Sequence, residues 1–222
     1  MNLRRNRLST HNSNSLPAIQ NLKALCQSLA VLDAILCPQW EWRTYSFRSA
    51  WSECVNMALM RDSSGDHYFV LFTPAGAVIK GFAHESRMSP YRSHPPEVWK
   101  GLLDEVPASI AVHLSDPAIM LEDTTFCIWR SYHDAQWHHG AISFPAGLDP
   151  DGSAELLGML DGLPSTYRSW AAENYDRRVE LRAVQSIYNH EAVTEDLVKR
   201  LNPDMTLQAL QPDLTEIGYV NV

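Results

Sequence analysis

The chain has 222 residues, 45% apolar and 20% charged, with a formal net charge of −8. That is enough apolar material for one well-filled core or two small ones, and the absence of any run of about 18 apolar residues argues against membrane insertion. Beyond position 16 there are 15 basic against 26 acidic residues, a balance that repels nucleic acid and either serves solubility alone or also favours basic partners. With no apolar h-region near the N-terminus, export is not expected, and the expected location is the cytoplasm.

Residues 1–16 carry Arg4, Arg5 and Arg7 and are otherwise rich in Asn and Ser, which reads as a disordered basic leader ahead of a single domain over 17–222. Ile19, Leu22, Leu25, Cys26, Leu29, Leu32 and Leu36 recur at helical spacing until Pro38, predicting a helix over about 17–36. Trp40 to Phe47 is dense in aromatic residues and predicts a strand with Trp40 and Trp42 on one face, followed by a polar connection over 48–53. Val55 to Arg61 predicts a second strand and Asp62-Ser63-Ser64-Gly65-Asp66 a turn. His67 to Thr73 is almost continuously apolar, as a strand covered on both faces should be. Pro74-Ala75-Gly76 breaks it, and Ala77 to Phe82 returns as a fourth strand. Loops this short impose antiparallel pairing, so the expected sheet is a meander, with the N-terminal helix on one face and later segments on the other.

The polar segment from His84 to Pro96 reads as a loop; Val98, Trp99, Leu102 and Leu103 suggest a short helix, and Pro107 opens another through Ile110 and Leu114. Thr124 to Tyr132 predicts a fifth strand, Asp134 to Gly140 a connection, and Ile142 to Phe144 a small extra strand. The remainder, about 150–222, reads as a helical subdomain. Its start signals are Asp149-Pro150-Asp151-Gly152-Ser153, Ser165 or Thr166, Thr194 and Thr206, and Gly162 ends its first helix. The expected class is α+β: an antiparallel meander of four to five strands, an N-terminal helix and a helical C-terminal third.

Little in the chain names a chemistry. Cys26, Cys37, Cys54 and Cys127 are scattered through apolar segments without metal-site spacing and read as buried thiols. A nucleophile at Cys127 with His84 or His133 is disfavoured because an apolar strand suppresses the thiolate. Asp149-x-Asp151-Gly152 resembles a calcium loop only superficially, since the position of the bidentate glutamate is Leu160; helix capping explains it. Adjacent His138 and His139 lack the spacing of a zinc helix. No metal and no cofactor is expected. The remaining cluster is His84 and Glu85 at one strand end with Glu122 and Asp123 at the start of another, four titratable groups suited to acid–base work if those ends adjoin, and otherwise surface charge.

The segments Trp40-Glu41-Trp42-Arg43, Ser64 to Phe69, Lys80 to Ser86, Glu122 to Arg130 and Asp149 to Ser153 resemble an uncharacterised family of small bacterial cytosolic proteins, over about Leu22 to Tyr219. The general build is also similar to immunity proteins that neutralise polymorphic bacterial toxins. That likeness implies a non-enzymatic acidic protein that binds a basic partner such as a toxin, with Trp40, Trp42 and Tyr91 as interface aromatics. The alternative is a small-ligand-binding protein or a hydrolase-like enzyme using His84, Glu85, Glu122 and Asp123. A sheet edge also leaves a homodimer open.

Overall fold

The computed structural model describes residues 7–219. One antiparallel sheet in the order β1-β2-β3-β4-β5 organises them: β1 (Tyr45–Ser52), β2 (Val55–Arg61), β3 (His67–Thr73), β4 (Gly76–Phe82) and β5 (Phe126–Ser131). The α-helices among these residues are α1 (Ile19–Leu36), α2 (Ala108–Ala111), α3 (Ser153–Leu156), α4 (Pro164–Asn174), α5 (Leu181–Tyr188), α6 (Glu195–Leu201) and α7 (Leu207–Ile217). None is long and apolar enough to cross a membrane.

The meander forms where the turn chemistry dictates. Asp62 Oδ1 accepts from the N–H of Ser64 (2.9 Å) and of Asp66 (3.0 Å) while Gly65 takes φ +99°, which closes β2 onto β3. Thr73 Oγ1 accepts from the N–H of Ala75 and of Gly76 at 3.2 Å each, closing β3 onto β4. Met57, Leu71, Val78 and Trp129 then align across β2 to β5 on one face, and Ala58, Val70, Ile79 and Ile128 on the other.

Each face has its own apolar layer. On the first, Phe47, Val70, Phe72 and Ile79 share a cluster with Leu22, Leu29 and Leu32 of α1 and with Tyr167, Val184, Leu197 and Leu210 of α4 to α7. On the second, Val55, Met57, Leu71, Val78 and Trp129 pack with Ile110, Leu114 and Ile119, contributed by α2 and the 3-10 turns Val112–Ser115 and Pro117–Ile119. Each fully buried Leu or Ile contributes roughly 1.5–3 kcal/mol. The C-terminal helices are capped largely as expected. Thr194 Oγ1 accepts from Leu197 N–H and Thr206 Oγ1 from Ala209 N–H, and Asp149 takes the N–H groups of Ala154 and Glu155. Gly162 at φ +74° ends the turn that follows α3.

Five expectations need correction. Residues 7–16 are not a disordered leader: Thr10–Ser15 is a 3-10 helix, Leu8 and Leu16 are buried, and Thr10 N–H donates to Ser153 Oγ at 3.0 Å, while residues 1–6 lie outside the described range. Trp40–Trp42 is a 3-10 turn and not part of a strand, because Arg61 Nη2 holds the carbonyls of Trp40 (3.1 Å) and Glu41 (3.2 Å) and the indole of Trp42 has no apolar surface to cover. β1 starts at Tyr45 and runs through the segment expected to be a connection, with an irregularity between Arg48 and Ser52. Residues 98–103 form turns, not a helix, since Gly101 takes φ +91° where its backbone packs against that of Ala141. Ile142 to Phe144 joins no strand; Phe144 packs instead against His11, the rings tilted by 48° with centroids 4.2 Å apart. A smaller difference is that α4 starts at Pro164, not at a Ser165 or Thr166 cap.

Asp33 of α1 joins three of these parts. It is fully buried and accepts from Thr44 N–H (2.9 Å), Tyr45 N–H (2.8 Å) and the Tyr167 hydroxyl (2.7 Å), and burial pushes its carboxyl up from 3.8 to about 6. Asp33→Ala strands two buried donors and a part-buried one, so denaturant unfolding should show a loss of about 3 kcal/mol or more. Because the folded protein holds the Asp33 proton more tightly than the unfolded chain does, the stability of the wild type relative to Asp33→Asn should fall as pH rises from about 4 to about 6 and level off above. A difference that does not change with pH would show that Asp33 is not the group that titrates.

Candidate functional site

Antiparallel register brings the candidate residues to one end of the sheet. His67 lies opposite Phe82 and Gly81 opposite Phe126, so the start of β3, the exit of β4 and the approach to β5 are neighbours. Ala83 N–H donates to Thr125 Oγ1 at 3.0 Å and Thr125 N–H to Gly81 O at 2.8 Å, which locks the last two together.

The four titratable groups do not converge there on one point. His84 pairs with Asp66, which sequence reasoning had assigned only to the turn: Nδ1 to Oδ1 is 2.7 Å, and the His84 N–H donates to the same oxygen at 2.8 Å. Nε2 lies 3.3 Å from Glu85 Oε1, and Glu85 Oε2 lies 3.5 Å from Arg92 Nη2. The hydrogen bond that His84 donates to Asp66, aided by the Asp66 charge and opposed by desolvation, raises the His84 pKa above the ordinary histidine value. Asp123 is engaged elsewhere, accepting the Tyr91 hydroxyl at 2.6 Å, and that bond raises the Tyr91 pKa. Tyr91 in turn sets its ring edge-on against Phe82, centroids 6.0 Å apart. Glu122 is exposed.

Between the two pairs lies a couple that sequence reasoning missed. Lys80, the single charged residue of β4, projects to the second face and is fully buried, with Nζ 3.3 Å from His67 Nε2 and 5.6 Å from the centre of the Phe69 ring. Burial lowers the Lys80 pKa to about 8 against the pull of Asp123 and Glu122, and burial and then the Lys80 charge lower that of His67. A neutral His67 accepting at Nε2 and donating Nδ1–H towards Gly65 O, 3.4 Å away, satisfies this arrangement. The available signal was one lysine inside the apolar run Ala77 to Phe82.

Three of the four thiols are buried; Cys54, in the β1–β2 turn at φ +60°, is exposed, which corrects the expectation for that residue. Cys127 is pushed to about 12 by burial, so it offers no thiolate. Among the described residues no group of three or more His, Cys, Asp or Glu stands together as a metal site would need. The interface aromatics are open to solvent, Trp40 at 42%, Trp42 at 76% and Tyr91 at 60%. Arg61 lies over Trp40, 4.4 Å from the ring centre, and Trp42 lines a shallow depression with Glu41, Asp62 and Ser63.

Asp66→Asn should lower the His84 pKa in an NMR titration. The stability contributed by the pair should be present below the ordinary histidine pKa and disappear as pH rises through the raised folded value. Lys80 behaves oppositely. The unfolded chain keeps the proton up to about 10.5 and the folded one releases it from about 8, so the wild type should gain stability relative to Lys80→Met as pH rises across that interval. A flat difference would place the titration elsewhere. The chain matches no protein-family model, no curated protein and no solved structure.

Proposed function

We propose that this chain is a non-enzymatic binding protein of the bacterial cytosol that presents an acidic, aromatic-studded surface to a basic protein partner, in the manner of a toxin immunity protein. The observation that carries the reading is the placing of exposed aromatics among carboxylates at one end of the sheet. Trp42 stands beside Glu41 and Asp62, Asp66 and His84 follow, and Tyr91 is bonded to Asp123. Large rigid aromatics surrounded by charge are what a protein interface uses for affinity and for steering.

The acid–base alternative finds less support in the same geometry. Both ring nitrogens of His84 face carboxylates, which favours a held imidazolium over a free base, and Asp123 is committed to Tyr91. Burial lowers the Lys80 pKa and raises that of Cys127, and both side chains are sealed from solvent, out of reach of a substrate.

The test is capture of partners on the tagged protein from bacterial lysate at low and at high salt. The expected result is one basic protein, retained at low ionic strength and released as salt rises. With that partner in hand, Trp42→Ala should leave folding stability within about 0.5 kcal/mol while weakening binding by about 2 kcal/mol, roughly 30-fold. Retention of nothing, or binding indifferent both to salt and to Trp42, would sink the proposal.

A further inference from the structure

The second face of the sheet is only half covered. α2 packs on β4, and the turns that follow it share an apolar cluster with β2 to β5 and end at Met120, whose left-handed φ of +51° turns the chain away. The part over β1, β2 and the start of β3 is left as an open hollow of about 400 Å³, with Trp40, Trp51, Met57, Leu59, Phe69 and Met120 as its apolar lining. A volume of this size, mostly apolar and with a few polar groups at its edge, falls in the range of small-molecule sites, roughly 300–1,000 Å³.

The polar groups around the hollow select the ligand. Arg48 is paired with Glu216 at 3.0 Å and lies over the Trp51 ring, whereas Arg61, among the described residues, has no carboxylate within ion-pair distance; its Nη2 meets the carbonyls of Trp40 and Glu41, and its guanidinium lies over the Trp40 ring. A guanidinium carries five N–H groups, so several remain for a ligand. Behind the floor, His67 separates the hollow from the buried Lys80, which also has no ion-paired carboxylate among the described residues. Of the two acids in the lining, Asp66 is paired with His84, and Asp62, which accepts the turn amides of Ser64 and Asp66, makes no ion pair with Arg61. Two indoles in the lining and a guanidinium outside any ion pair among the described residues suit a planar apolar molecule that carries a carboxylate.

We propose that this hollow binds a small planar apolar molecule bearing a carboxylate, held between Trp40 and Trp51 with its carboxylate on Arg61. The site does not depend on the protein partner proposed above, and no partner enters its test.

The test uses 2-naphthoate and its neutral counterpart 2-naphthamide, by calorimetry and by NMR of the tryptophan indole N–H groups. Naphthoate should saturate a single site, shift the signals of Trp40 and Trp51, and bind at least 10-fold more tightly than the amide. Arg61→Met should bring naphthoate down to the amide's affinity and leave the amide's unchanged, with Arg61→Lys recovering part of the difference. Because Arg61 also holds the 40–42 turn, Leu59→Trp provides a second variant: it fills the hollow from β2 and should block both compounds, with thermal melts confirming that each variant is folded. The proposal is overturned if naphthoate shows no saturable binding, if the amide binds equally well, if Arg61→Met weakens both alike, or if sedimentation shows a dimer that Leu59→Trp dissociates, in which case the occupant is a second copy of the chain.

Discussion

A single buried carboxylate sets the relation between the helical layer and the sheet. Asp33 sits in the last turns of α1, where it receives the first two amides of the β1 approach and the hydroxyl of Tyr167 in α4. The position of the longest helix, the point at which the meander begins and the docking of the C-terminal helices are thus tied to one side chain. Burying an acid is costly, and the three donors that converge on it make the cost tolerable. Arg43, also buried, adds a second link at the same junction, donating to the carbonyls of Cys37 and Pro38 and to Asp213 of α7. Chain entry into the sheet is therefore held by Asp33 of α1 and by Arg43, and this clamp, not strand propensity, defines where β1 starts.

From that start the two faces of the sheet diverge in character. The first is covered by long regular helices and continues without interruption into the C-terminal apolar cluster. The second is covered by short turns that end early, and its layer includes a histidine–lysine couple, where the first buries the Asp33 carboxylate. An antiparallel meander also places the β2–β3 turn, the exit of β4 and the approach to β5 at one end. Charge and exposed aromatics gather there because every segment leaving the sheet at that end is polar. Sheet register, and not proximity in sequence, brings Asp66 to His84.

What could be read from the residues follows the same logic. β2, β3 and β4 were legible because their apolar runs are bounded by turn residues whose side chains make the turn, as Asp62 and Thr73 do. Trp40 to Trp42 was misread because aromatic density stands in for strand structure only where there is a surface to cover, and here a distant arginine holds the backbone instead. The fold of residues 7–16 depends on Ser153, more than a hundred positions away, and has no local signature. At the site, the pairing of Asp66 with His84 follows from the register that the sequence implied. That of Tyr91 with Asp123 does not, because it depends on the path of the irregular segment between them. The Lys80–His67 couple needed only the observation that both project to the same face of adjacent strands, with one residue pair of offset.

The β1–β2 turn lies at the opposite end of the sheet from these groups, and it carries Cys54, the one exposed thiol of the four. The natural sequence therefore holds a selective point of attachment for a fluorophore or spin label. A reporter there leaves the aromatic–acidic end unobstructed and needs no engineered cysteine, so the unmodified chain can serve as its own sensor for whatever engages the far end.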